Sequence, residues 1–422
     1  MDMDHSGVAR KITRTLFAAQ SLGSAGFIAA ATINSIAGAK LSGAPALAGV
    51  PSSIYQIGSA LAAFGWGYAM DRLGRRGGLV TGLILGVLGA VIAGSAMMAR
   101  SFLLFLGGMV LMGAANSALQ LGRFAAAEVH KPAERGRAIS NVVIGGTAGA
   151  IFGPLMVGPM GTWSQQLGWD ELSGPYVASA ILFTLAVVAI FVWLRPDPRD
   201  VGRQVAQLYP DSTGGDRSTR SIPQILRSPG AIVAMASMIF GQFTMVALMV
   251  ITSLDMQGHH HPLTAISFVI SSHTFGMYAF SIFSGQLADR WGRAPVIVVG
   301  SITLILASLT APLSPDVLPV SVALFLLGLG WNFCYVGGST LLADQLSPAE
   351  RARTQGFNDL LIGLTSAAGS LGSGVVFAAM GYAAMGVVGA IVALIPLGLT
   401  LWWLMGRRAA LGSAVDSRSQ ET

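Results

Sequence analysis

The chain has 422 residues, 53% of them hydrophobic and only 10% charged, with a mean hydropathy of +0.65. A water-soluble domain carries about a quarter charged residues, so the composition argues against an ordinary soluble enzyme or a disordered chain and fits a polytopic membrane protein. The net charge of +6 is spread over loops and does not point to nucleic acid, and Cys334, the single cysteine, excludes an internal disulfide and a multi-cysteine metal site.

In chain order, the basic run Arg10, Lys11 and Arg14 leads straight into an apolar stretch, which reads as a retained first helix and not a cleaved signal. The pattern predicts membrane spans at roughly 15–37, 46–70, 77–99, 102–129, 138–160, 174–194, 230–255, 263–288, 294–313, 318–345, 355–380 and 382–406. Most supply about 20 apolar residues, enough to cross a roughly 30 Å hydrocarbon layer. Basic residues gather in the loops of one side, among them Arg72, Arg75, Arg76, Lys131, Arg135, Arg195 and Arg293, while Lys40 and Arg100 fall on the other. That asymmetry predicts both termini in the cytoplasm of a multi-pass inner-membrane protein. The expected organisation is all-α: a six-helix bundle over 1–194, a cytoplasmic linker over 195–228 with a short helix near Val201–Leu208, a second six-helix bundle over 229–408, and a disordered polar tail over 409–422.

One charged turn occurs twice. Gly67, Asp71, Arg72, Gly74, Arg75 and Arg76 lie between the second and third spans, and Gly285, Asp289, Arg290, Gly292 and Arg293 repeat the core of this pattern 218 residues on. Glu128 and Arg135 recur in the same way as Asp344 and Arg351, 216 residues later. Such a register marks two parallel repeats related about the membrane normal. The motif, its repeat and the span count resemble the major facilitator superfamily of secondary transporters. That resemblance implies twelve helices, alternating access, no enzymatic activity, and a gating role for Asp71, Arg72, Arg75, Glu128, Arg135, Asp289, Arg290, Arg293, Asp344 and Arg351. Orientation and loop folding alone are the plainer account of the same charges.

The fifth span carries Gly149, Gly153, Pro154 and Gly158. Proline deletes a backbone hydrogen bond and glycine permits close approach, so this segment is expected to bend against a partner helix. It resembles the antiporter motif of drug–proton exchangers in the superfamily, and protons are thereby a candidate coupling ion. Arg123 within the fourth span and Asp359 near the start of the eleventh are intramembrane charges, each readable as functional or as a structural partner.

Two matched motifs stand on the seventh and eighth spans: Met245 with Met249, and His273 with Met277. Four-residue spacing puts each pair on one helix face, and neutral thioether and imidazole ligands suit copper(I) as a transported substrate. His259, His260 and His261 in the outer turn are candidates for metal capture. The pattern resembles the CcoA-type copper importers, a branch close to riboflavin transporters, so copper import across the inner membrane is the leading expectation, with uptake of riboflavin or a similar small organic solute and proton-coupled drug efflux as the alternatives. Asn34, Gln56, Asn116, Gln120, Gln242, Asn332, Tyr335 and Asn358 are the pore-lining polar candidates, and Trp331 and Phe243 the groups on which an aromatic solute would stack. No nucleotide-binding loop is present in the sequence, so neither ATP nor a bound cofactor is expected, and the partners are the lipid bilayer and a small solute or metal ion.

Overall fold

Hydrocarbon offers no partner to a free N–H or C=O, so a chain this apolar crosses it as helices that satisfy their own backbone. The computed structural model describes residues 5–131, 134–209 and 220–419. In chain order the helices are α1 (His5–Ser42), α2 (Val50–Ala99), α3 (Phe102–Gln120), α4 (Gly122–Glu128), α5 (Arg135–Leu155), α6 (Val157–Gln166), α7 (Ser173–Trp193), α8 (Pro198–Leu208), α9 (Ile222–Ile225), α10 (Pro229–Gly258), α11 (Leu263–Tyr278), α12 (Ser281–Trp291), α13 (Arg293–Thr310), α14 (Val317–Asp344) and α15 (Pro348–Ser419).

Among the described residues, 10 helical stretches are long and apolar enough to cross a membrane. The sequence predicts twelve spans, and the difference lies at two glycines. Inside α2, Gly74 takes φ 81 and ψ 166, and inside α15, Gly381 takes φ 78 and ψ −178. Both conformations are costly for a side chain bearing Cβ, and both break the helix at the junction of two predicted spans. At its far end α15 runs on through Ser419, beyond the point where the sequence reading expects disorder. That stretch holds Ala409, Ala410 and Ala414, residues of high helix propensity. Residues 420–422 and the middle of the linker, 210–219, lie outside the described residues. The short helix expected near Val201–Leu208 is α8, with Asp197 as its N-cap and Val201 and Val205 buried on one face.

The chain forms two compact units. The first comprises Met1–Gly215, Val250–Thr274 and Ser370–Ala379; the second comprises Asp216–Met249, Phe275–Gly369 and Met380–Thr422. These boundaries depart from a division at 194 and 229, because small-residue contacts draw two later segments into the first unit. A Cβ on Gly158 would stand 2.4 Å from Thr264, Ser370 Oγ donates to Gly49 O at 3.1 Å, and a Cβ on Gly374 would meet Ala46 O at 2.6 Å.

Within the first unit, α5 lies on α1 through glycines one turn apart. Cβ atoms built on Gly145, Gly149 and Gly153 would stand 2.6, 2.0 and 2.5 Å from the carbonyl oxygens of Phe17, Ser21 and Ala25, themselves one turn apart on α1. This is the close backbone approach that drives helix association where no hydrophobic effect operates. The expected bend follows at once: α5 ends at Leu155 just after Pro154, and α6 starts at Val157. In the second unit, α13 and α14 meet in the same manner, Gly300 against Cys334 and Gly330 against Leu304.

Gly149→Val would force backbone against backbone at the tightest of these contacts. The expected result is a loss of about 1–3 kcal/mol of stability, read as a lowered melting temperature of the purified protein, whereas Gly65→Val, facing open space, should melt like wild type.

Candidate transport site and its charged joints

Each unit carries the same charged joint. In the first, Gly74 turns the chain so that the N–H groups of Arg75 and Arg76 both donate to the Asp197 carboxylate at 3.1 Å. Asp197 thereby caps the helix that follows the break, where exposed N–H groups and the helix dipole favour an anion. A Cβ on Gly74 would strike Asp197 Oδ2 at 2.4 Å, so glycine is required here twice over. The Arg75 side chain grips Glu128 with both ends of its fork, Nε to Oε2 at 3.0 Å and Nη2 to Oε1 at 2.7 Å, and reaches Asp71 at 3.2 Å.

In the second unit Arg293 does the same work. Its Nε donates to Asp344 at 3.0 Å, its Nη1 lies 3.1 Å from Asp289, and Nη1 also donates to Ala288 O at the end of α12. Asp71 and Asp289 are 70% and 76% exposed, and a screened i,i+4 pair is worth only about 0.3–0.5 kcal/mol. The two-pronged contact to Glu128 therefore dominates the first joint, while in the second Asp344, 50% exposed, and Asp289 share Arg293. Glu128 thus takes Arg75 as its partner, and among the described residues no ion pair joins it to Arg135. The Arg351 side chain lies outside the described residues. Arg72 stacks on Tyr68 at 4.3 Å and Arg290 is exposed.

The most developed polar site lies within the second unit, on α10, α11, α14 and α15. Trp331 and Tyr335 stack with centroids 5.0 Å apart at an interplanar angle of 19°, and Tyr278 meets Trp331 edge-on at 6.1 Å. Trp331 Nε1 donates to Gln242 Oε1 at 2.7 Å, and Gln242 Nε2 donates to Ser366 Oγ at 3.0 Å. These bonds fix the indole plane and leave its orientation little freedom. Further along the α10–α15 seam, Asn358 is fully buried; its Nδ2 lies 3.5 Å from Met238 Sδ, and its Oδ1 has no hydrogen-bond partner among the described residues. Tyr335 and Phe357 pack against the apolar cluster that contains Met238. The second unit thus holds both a fixed aromatic stack and a buried amide acceptor.

Other predicted residues fall into different roles. Asn332 is buried and holds the gap between α11 and α12: its Nδ2 donates to Met277 O at 2.6 Å and Ser281 Oγ at 2.8 Å, and its Oδ1 accepts from Ser284. Asn34 is likewise buried and accepts from the Tyr176 hydroxyl at 2.8 Å, so both serve packing. Gln56 and Asn116 are half-buried and Gln120 is exposed. Arg123 lies over the Phe124 ring at 4.9 Å, its Nε buried and without a hydrogen bond among the described residues. Asp359 is exposed and accepts from Gln355 at 3.1 Å.

Met245 and Met277 are buried and Met249 half-buried in the second unit, while His273 is fully buried in the first. In the turn between α10 and α11 His259 Nδ1 lies 2.9 Å from Asp255 O, His260 takes φ 62, and the His261 N–H donates to Met256 O. Among the described residues no group of three or more His, Cys, Asp and Glu is placed to hold a metal ion.

Sequence reasoning passes over Tyr278, Ser366, Asp197 and the Arg220–Glu350 pair. Asp197 is signalled only by its place before Pro198, an N-cap followed by proline at the first helical position. Glu350, 3% exposed, accepts from Arg220 Nε and Nη2 and from the N–H groups of Arg220 and Ser347, all at 2.9 Å.

Apolar helices closely packed through glycine, a repeated charged joint and a buried aromatic and amide site define a polytopic membrane transporter. The profile of the Major Facilitator Superfamily matches residues 16–256 and 233–421, and the chain belongs to that family. It is a multi-pass, secondary-active carrier of small molecules by alternating access, and not an enzyme. It is 34% identical to the uncharacterized MFS-type transporter YdeG of Bacillus subtilis over 92% of this chain and 91% of the relative. To the riboflavin transporter RfnT of Brucella anthropi it is 31% identical over 88% of this chain and 90% of the relative. Among solved structures it is similar to the nucleoside transporter NupG, with a TM-score of 0.66 at 16% identity, covering 93% of this chain and 98% of that one.

The Arg220 guanidinium, helped by the Ser347 N–H, holds the Glu350 carboxyl well below its ordinary value of 4.5. A lowered folded-state pKa stabilises fully above 4.5 and gives that contribution up as pH falls through the lowered value. Arg220→Gln should therefore melt below wild type at pH 7, with a gap that narrows as pH drops below 4.5. A gap constant from pH 7 to pH 3 would show that the Glu350 charge is not its source.

Proposed function

We propose that this protein takes up a planar, hydrogen-bonding aromatic solute, riboflavin or a close chemical relative, across the bacterial inner membrane. The carrier would have twelve crossings and two six-helix halves, the breaks at Gly74 and Gly381 each dividing a long helix into two crossings, with both termini in the cytoplasm. The observation that carries the substrate reading is the Trp331–Tyr335 stack, locked by Gln242, in the same unit as the buried Asn358 acceptor. Stacking on a fixed indole recognises a flat ring system, and a buried acceptor without a donor favours a solute that brings its own N–H. Leaving such an acceptor empty costs about 1–3 kcal/mol, which a ring imide or amide would recover.

Similarity to the riboflavin transporter over most of both chains supports the same reading. Copper has the Met245, Met249, His273 and Met277 pattern behind it and no further support from the protein's relatives described above. In this reading Asp71, Arg75 and Glu128, with Asp289, Arg293 and Asp344, are the joints that make and release contacts as the carrier alternates.

Cells expressing the chain should accumulate labelled riboflavin above a vector control, and Trp331→Ala or Gln242→Ala should each lower uptake by roughly tenfold at unchanged membrane abundance. His273→Leu should leave flavin uptake near wild type. Accumulation of copper but not flavin, abolished by Met245→Leu and His273→Leu, would overturn the proposal in favour of the metal.

A further inference from the structure

At the basic end of the first unit, the start of α1 and the end of α7 enclose a cavity of about 370 Å³ lined by Gly7, Arg10, Lys11, Arg14, Thr15 and Trp193. Three of these six side chains are cations, and none of the three forms an ion pair with a carboxylate among the described residues. Arg10 Nε donates locally, to Ser6 O at 3.2 Å. Arg10 and Arg14 stand four residues apart on one helix face, where like charges repel unless an anion lies between them. The same chain shows what it does with arginines that have a protein partner: Arg75, Arg220 and Arg293 each close on a carboxylate.

The remaining wall is of interfacial character. Trp193 is 57% exposed and ends the apolar run of α7, the place where an amphipathic ring sits at headgroup level. Beside it, Arg76 donates to Phe191 O at 2.6 Å and lies over the Phe191 ring at 4.8 Å, which adds a further positive charge at this depth. A basic pocket between membrane helices, open to the interface and floored by aromatic surface, is complementary to a phosphate that carries its own hydrocarbon.

We propose that this cavity is a binding site for one anionic phospholipid, its phosphate held by Arg10, Lys11 and Arg14 and its glycerol and first methylenes against Trp193. The inference stands apart from the substrate proposed above. It draws on the proposed orientation only in placing the lipid in the cytoplasmic leaflet.

The test is native mass spectrometry of the full chain, purified from membranes and partly delipidated, then offered phosphatidylglycerol or phosphatidylcholine. Wild type should retain one phosphatidylglycerol and no phosphatidylcholine at matched concentration. The triple variant Arg10→Gln/Lys11→Gln/Arg14→Gln should lose that lipid by at least on the order of tenfold. A second triple variant, Arg137→Gln/Arg203→Gln/Arg227→Gln, removes the same charge from exposed positions without touching the cavity and should retain it.

Equal loss in both triples would overturn the proposal, since general surface charge would then suffice. Displacement of the lipid by millimolar inorganic phosphate would also overturn it, by showing a site for free phosphate. If the cavity triple does not fold, Trp193→Ala, with all three charges kept, should lower retention of phosphatidylglycerol, and unchanged retention in that variant counts against the site.

Discussion

The structure depends on one constraint: inside hydrocarbon, a backbone group that leaves its helix must find another partner. Several departures from regular helix among the described residues can be followed to such a partner. Where α11 stops and α12 starts, Asn332 reaches across from α14 to take the freed Met277 carbonyl. Beside Pro154, which cannot donate, Ser271 supplies a hydroxyl to Ile151 O at 3.2 Å. At the breaks near the membrane surface the partners are charged: the Asp197 carboxylate caps N–H groups after Gly74, while Arg76, Arg199 and Arg293 cover the carbonyls of Phe191, Asp71 and Ala288. Carboxylates sit where N–H groups are exposed and arginines where carbonyls are, as the helix dipole requires.

That constraint also explains why the charged joint takes the same form in both units. A positive-φ glycine reverses the chain, an arginine immediately after it is thrown outward, and the nearest acid on a neighbouring helix receives it. Gly74, Arg75 and Glu128 do this in one unit; Gly292, Arg293 and Asp344 do it in the other. The exposed Asp71 and Asp289 add little to stability in this arrangement. Their cost to the resting structure is small, which leaves them available for a different partner in another state of the carrier, whereas Glu128 and Asp344 are already engaged.

Much of the fold is legible in the sequence because lipid imposes a simple code. Apolar length marks the spans, glycine spacing marks contacts such as Gly149 on Ser21, and Gly381 stands between two predicted spans where the chain does break. The candidate site is less legible, and the reason is physical. A polar residue in an apolar helix announces that it needs a partner, not which one. Asn332 and Asn34 spend their amides on a helix break and on Tyr176, whereas Gln242 positions an indole and Asn358 keeps a bare acceptor. Only tertiary placement separates these cases. The linker shows the same limit, since Asp197 and Arg220 find partners more than a hundred positions away in sequence.

The methionine pattern is the sharpest instance. Met245 and Met249 follow Gln242 at i+3 and i+7, so all three share one face of α10, and Met277 directly precedes Tyr278 on α11. Read as ligands, thioethers at that spacing suggest copper. Read beside a stacked Trp331 and Tyr335, the same thioethers are polarizable and conformationally adaptable groups that suit the edge of an aromatic ring at least as well as a soft metal. Spacing alone cannot divide the two chemistries, because both ask for neutral, soft, unbranched side chains on a common face. The proposed planar solute draws its support from other residues of the same unit, since a hydrogen-bonded indole and a buried amide acceptor have work to do for such a solute and little for a bare monovalent cation.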